Sequence, residues 1–171
     1  ILHHDALYDD LREPVAVLEG RAHHLKAYWT YAGTAAGRSG ESDRGAAAYS
    51  ALMAASQVAV ATEILQAHDF SPHRVLLDIG GGDGSFIRAV LTQYPTLQCH
   101  LMELPAVTAL AQEAFAKAVD LPPVTLHPGD FRQDALPAAA DLITLIRITH
   151  DHDDEVVKAL FSSVHGALPA G

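Results

Sequence analysis

The sequence predicts an α/β fold, a Rossmann-like doubly wound parallel sheet preceded by a helical segment. Three observations predict it. An apolar run, Val75-Leu76-Leu77, leads into an acid and a glycine-rich turn, Asp78-Ile79-Gly80-Gly81-Gly82-Asp83-Gly84. Ser85-Phe86-Ile87-Arg88-Ala89-Val90-Leu91 then reads as helix, which completes the strand-turn-helix that opens nucleotide-binding α/β domains. Beyond it, short apolar runs alternate with helical stretches, the pattern of parallel strands joined by crossovers.

Residues 5–28 form short, weakly helical pieces broken by Pro14 and Gly20, and 32–45 read as loop. Ala46 to about His68 is a long helix candidate, rich in alanine and free of Gly and Pro. Pro72 separates this region from the α/β part, giving a helical segment over 1–71 and a ligand-binding domain over 72–171. The first strand is expected at about 74–79 and the first helix at about 85–93, stopped by Tyr94-Pro95. The second strand spans Leu97 to Leu104, and the second helix about 105–118, with Pro105 suited to its first turn. The third strand is Val124 to His127. Asp130 to Asp141 is short and holds Pro137, so any helix there is rudimentary. The fourth strand is Leu142 to Ile148. The last helix covers about 153–167, where Asp153, Asp154 and Glu155 complement the dipole at its start.

Composition narrows the partners. The formal net charge of −10, with no lysine or arginine cluster, argues against a nucleic-acid partner, because phosphate binding needs a basic face. The lone Cys99 excludes an internal disulfide and fits a reducing, cytoplasmic setting. The N-terminus lacks the basic and apolar regions of a signal peptide, and Ala46–Ala61 is too short and polar to span a bilayer.

The glycine turn carries the chemistry. A dinucleotide fingerprint places its third glycine where this chain has Ser85 or Ile87, so that spacing fails. The pattern present is D-x-G-x-G-x-G, from Asp78 through Gly80 and Gly82 to Gly84. Its glycines let a ligand approach the backbone, and its acid suits an ammonium group. The alternative is a glycine turn without a ligand. Glu103, ending the second strand, is placed to accept hydrogen bonds from two ribose hydroxyls, or is an incidental exposed acid. Asp130 and Phe131, after the third strand, could accept from an adenine amine and cover its ring, or belong to a simple turn. In His150-Asp151-His152-Asp153-Asp154, after the fourth strand, His150 is a candidate general base. A metal site and a solvated loop are the competing readings. Metal is the weaker, since five consecutive turn residues cannot converge on one ion.

From Tyr49 to Gly171 the chain resembles the small-molecule O-methyltransferases typified by plant caffeic acid O-methyltransferase, and within them the bacterial hydroxyneurosporene (demethylspheroidene) enzymes of carotenoid biosynthesis. The resemblance rests on Tyr49–Gln57, Leu77–Gly84, Glu103-Leu104-Pro105, Gly129-Asp130-Phe131 and Ile148–Asp154, in that order. It implies S-adenosyl-L-methionine as cofactor, held by Asp78, Gly80, Gly82, Gly84, Glu103, Leu104, Asp130, Phe131 and Arg147, with His150 as catalytic base and no metal. The plant enzymes have Trp where this chain has His152. It further implies a hydrophobic small-molecule hydroxyl as acceptor, most readily a hydroxylated carotenoid, with an aromatic or polyketide phenol as the alternative. It implies a homodimeric parent built on an N-terminal dimerisation domain, and it admits peripheral membrane contact. It also implies further strands and acids that orient the base. On this reading the chain is a truncated enzyme, inactive by itself and prone to associate through its fourth strand. The alternative from another class is a non-catalytic S-adenosylmethionine-binding module.

Overall fold

The computed structural model describes residues 8–21, 57–138 and 140–169. The loop expected over 32–45, the first part of the helix expected from Ala46 and the Tyr49–Ser56 stretch lie outside the described residues. The chain divides by contact into Ile1–Ala55 and Ser56–Gly171. In the first unit, residues 8–12 are helical and α1 follows as Pro14–Leu18, with Pro14 in its first turn.

The second unit begins, among the described residues, with α2 (57–67). It continues through β1 (Val75–Ile79), α3 (Ser85–Gln93), β2 (Gln98–Glu103), α4 (Pro105–Lys117), β3 (Val124–Pro128), β4 (Leu142–Thr144) and α5 (Asp154–Ala167). All strand pairs are parallel and the order is β3-β2-β1-β4, the doubly wound arrangement expected. β1 is central, and four of its five residues are buried, as a strand covered on both faces must be.

Alternation along the strands sorts the side chains into two cores. Leu76, Cys99 and Leu101 pack with Phe70 and with Phe86, Ile87, Val90 and Leu91 of α3. Leu77, Ile79 and Met102 pack on the other face with Leu160 of α5. α2 joins the first of these cores through Ala61, Ile64 and Leu65. Burial, helped by the nearby Asp78 charge, pushes the Cys99 thiol up to about 12.

β1 ends at Ile79, where the expected first strand ends, and the largest departure is in β4. β4 stops at Thr144 rather than Ile148; the chain turns over 146–148 and enters a 3-10 turn, Thr149–Asp151. The reason is visible at Arg147, whose φ of 61° lies in the left-handed region and is incompatible with a strand. The apolar Ile146 and Ile148 made the segment look extended, but each instead packs into a core.

Candidate active site

The strand order reverses between β1 and β4. The turns that follow these strands therefore meet at the carboxyl edge, where open parallel sheets bind ligands. Gly80, Gly82 and Gly84 all have positive φ, 69°, 61° and 74°. Each glycine answers to a different neighbour. A Cβ on Gly80 would overlap the end of the Ile148 side chain, so the turn after β4 lies directly on the glycine turn. A Cβ on Gly84 would run into the Phe115 ring of α4, with Cε2 at 2.6 Å. A Cβ on Gly82 would meet nothing within 4 Å. Gly82 is therefore where open space reaches the backbone of the turn.

Two carboxylates support this turn. Asp78 lies under it, fully buried, and a Cβ on Gly81 would overlap its Oδ2. The Thr144 hydroxyl donates to Asp78 Oδ1 at 2.7 Å, while Oδ2 is buried with no hydrogen-bond partner. Burial pushes the Asp78 carboxyl up to about 7, against the opposing effect of the Thr144 hydrogen bond. Glu103, at the end of β2, accepts the Gly82 N–H at Oε1 (3.3 Å) and the Leu104 N–H at Oε2 (2.5 Å). Burial raises it too, to about 7, opposed by those two N–H groups. Leu104 thus meets the site through its main chain. Each Glu103 oxygen keeps acceptor capacity beyond its one N–H.

After β3, Asp130 is held by Arg132, whose Nη2 lies 2.7 Å from Oδ2 and whose Nε lies 2.8 Å from Oδ1. The Arg132 hydrogen bonds hold the Asp130 carboxyl below its usual range. Phe131 meets His152 edge to face, with ring centroids 5.2 Å apart, so the turns after β3 and β4 touch through two rings. His150 sits in the 3-10 turn, its side chain 60% exposed, with Nε2 3.2 Å from Asp151 Oδ1. An imidazole beside a carboxylate can accept a proton and keep it transiently stabilised.

The structure therefore brings Asp78, the glycines, Glu103 and Leu104 into one continuous contact. Arg147 and His150 lie on the turn whose Ile148 covers Gly80. Sequence reasoning passed over Thr144, Ile148 and the pairing of His152 with Phe131. Thr144 could have been found only from the β1–β4 register, which sets it beside Asp78.

An acid and a glycine turn at the switch point of a parallel sheet define a Rossmann-like domain of the class I methyltransferase type. The chain belongs to the O-methyltransferase family: the family profile described as the O-methyltransferase domain matches residues 8–171. It is 42% identical over 170 residues to the demethylspheroidene O-methyltransferase of Cereibacter sphaeroides, a match covering 99% of this chain and 44% of that protein. The chain thus spans under half the length of this relative. Among solved structures it is similar to LaPhzM, with a TM-score of 0.74 and 28% identity over 98% of this chain and 48% of the other. It is also similar to PigF with SAH, with a TM-score of 0.71 and 27% identity over 75% of this chain and 38% of that one.

Proposed function

We propose that the protein is an S-adenosylmethionine-dependent O-methyltransferase acting on a hydroxyl of a hydrophobic small molecule, most specifically a hydroxylated carotenoid. The observation that carries this reading is the 42% identity to a demethylspheroidene O-methyltransferase across 99% of the chain. The site residues fit the cofactor. Gly82 offers open space at the turn, the unpartnered Asp78 Oδ2 lies beneath it, and Glu103 retains acceptor capacity for ribose hydroxyls. Asp130 and Phe131 take the adenine amine and ring, and Arg147 contacts the cofactor from the turn after β4.

Bound there, S-adenosylmethionine supplies an electrophilic methyl on a sulfonium. The chain's own contribution is positioning plus one proton transfer. His150 accepts the acceptor's hydroxyl proton, Asp151 steadies the resulting imidazolium, and the exposed ring returns the proton to solvent. A tertiary alcohol is far less acidic than an imidazolium, so His150 must take the proton as the new C–O bond forms. We place the protein in the cytoplasm as a homodimer. This follows from the resemblance and the lone cysteine, and no helix among the described residues is long and apolar enough to cross a membrane.

The test is calorimetry with S-adenosylmethionine, followed by transfer of a labelled methyl to a detergent-dispersed hydroxycarotenoid. Binding and transfer are expected. Transfer to a phenol but not to the carotenoid alcohol refutes the substrate, and absence of binding refutes the reaction class.

A further inference from the structure

Two acids share the floor of the glycine turn, Asp78 fully buried and Glu103 half-buried. Asp78 approaches from β1 and Glu103 from β2. The donors that hold them are the Thr144 hydroxyl and the N–H groups of Gly82 and Leu104. Every one of these donors is neutral. Among the described residues, the other ionisable groups acting with the pair are Cys99 of β2, whose thiol is raised by burial and then by the Asp78 charge, and Asp130, whose charge opposes ionisation of Glu103. The β4 side supplies Thr144 and, three residues on, Arg147. Burial opposes ionisation of both carboxylates, and the Asp78 charge adds to it at Glu103, so the two resist being ionised together. Burial raising both groups to about 7 agrees with the geometry.

A ligand bearing an ammonium and a sulfonium reverses this balance, because it brings positive charge to the turn above the pair. Resting on the cofactor reading above, we propose that the cofactor-free site holds a proton on the Asp78–Glu103 pair and that cofactor binding expels it, with Thr144 as the positioning residue that sets how readily it leaves. The step balances simply. A carboxylic O–H bond breaks, its electron pair stays on the carboxylate oxygen, the proton passes to the buffer, and nothing is oxidised or reduced. Thr144 enters because its hydroxyl donates to Asp78 Oδ1 and so favours the ionised form.

The test is calorimetric binding of S-adenosylmethionine near pH 7 in phosphate and in Tris, buffers that differ widely in ionisation enthalpy. The enthalpies should differ by an amount matching release of roughly half a proton or more per cofactor, and affinity should rise up to about tenfold per pH unit well below neutral. Thr144→Val should increase the release near pH 7 and move the affinity midpoint upward by about one pH unit, while Thr144→Ser restores both. Asp78→Asn should reduce the release. Should a Thr144 variant fail to fold, the wild-type buffer pair decides the proton by itself. Equal enthalpies in the two buffers with intact binding would overturn the proposal and leave the cofactor reading standing. Absence of binding at every pH would instead overturn the cofactor reading, and this proposal with it.

Discussion

The three positive-φ glycines of the turn, Gly80, Gly82 and Gly84, should separate a binding defect from a folding defect. Alanine at Gly82 must adopt φ near 61°, but its Cβ meets nothing within 4 Å. Its cost is the left-handed strain alone, about 1–2 kcal/mol. Alanine at Gly84 carries the same strain at φ 74° and also overlaps the Phe115 ring. Overpacking of that kind adds roughly 1–3 kcal/mol, for a total of about 2–5 kcal/mol. Gly80 falls between them, since its obstacle is the end of the flexible Ile148 side chain. For a protein of this size each kcal/mol lowers Tm by about 2–4 °C. Gly82→Ala should then melt only a few degrees below wild type and Gly84→Ala on the order of 10 °C below. Calorimetry with S-adenosylmethionine should show the reverse weighting. The Gly82 methyl fills the open approach and should weaken binding at least about tenfold, or about 1.4 kcal/mol, in a folded protein. Gly82→Ala that binds as wild type, or that melts below Gly84→Ala, would refute the assignment of separate roles.

Glu103→Ala should weaken cofactor binding by about tenfold or more in the same titration, since it removes the carboxylate that also holds the Gly82 N–H. His150→Ala should cut turnover by roughly 100-fold with cofactor affinity retained, and near-normal turnover would remove His150 from the mechanism. A third test concerns His100 and His127, which are stacked with Nδ1 and Nε2 2.9 Å apart. Burial lowers both, and for His127 the neighbouring His100 adds to it, so the unfolded chain binds protons that the folded one does not. Their contribution to stability is therefore full above the unfolded value near 6.5 and is lost as pH falls toward the lower folded values. Melting followed from pH 7.5 to 5 should show this loss, and His127→Phe should flatten it; equal slopes in variant and wild type would refute the account.

The sheet was legible because its strands obey simple rules. β1 is a near-continuous apolar run before glycines, and Pro105 and the acids at Asp154 and Glu155 mark helix starts. β4 was overextended because Leu145, Ile146 and Ile148 suit a strand as well as a packed turn, and only the backbone at Arg147 separates the two. Residue types at strand ends identified the acids of the site. What they could not reveal was pairing across elements. Thr144 on Asp78, Ile148 on Gly80 and His152 against Phe131 each join residues far apart in sequence, and each depends on register.

Cys99 offers a use unrelated to catalysis. It is the chain's single cysteine, buried in β2 beside the central strand, and its thiol is pushed up to about 12. Reagents attack the thiolate, so a closed sheet should leave this sulfur silent at neutral pH. Alkylation of the native protein then clocks the opening of the β1–β2 core, with one label per molecule and no engineered probe. Because the glycine turn and Glu103 extend from those same two strands, a saturating ligand should slow the clock. The rate of labelling thus becomes a mass-spectrometric gauge of occupancy that works for any ligand, methyl donor or not.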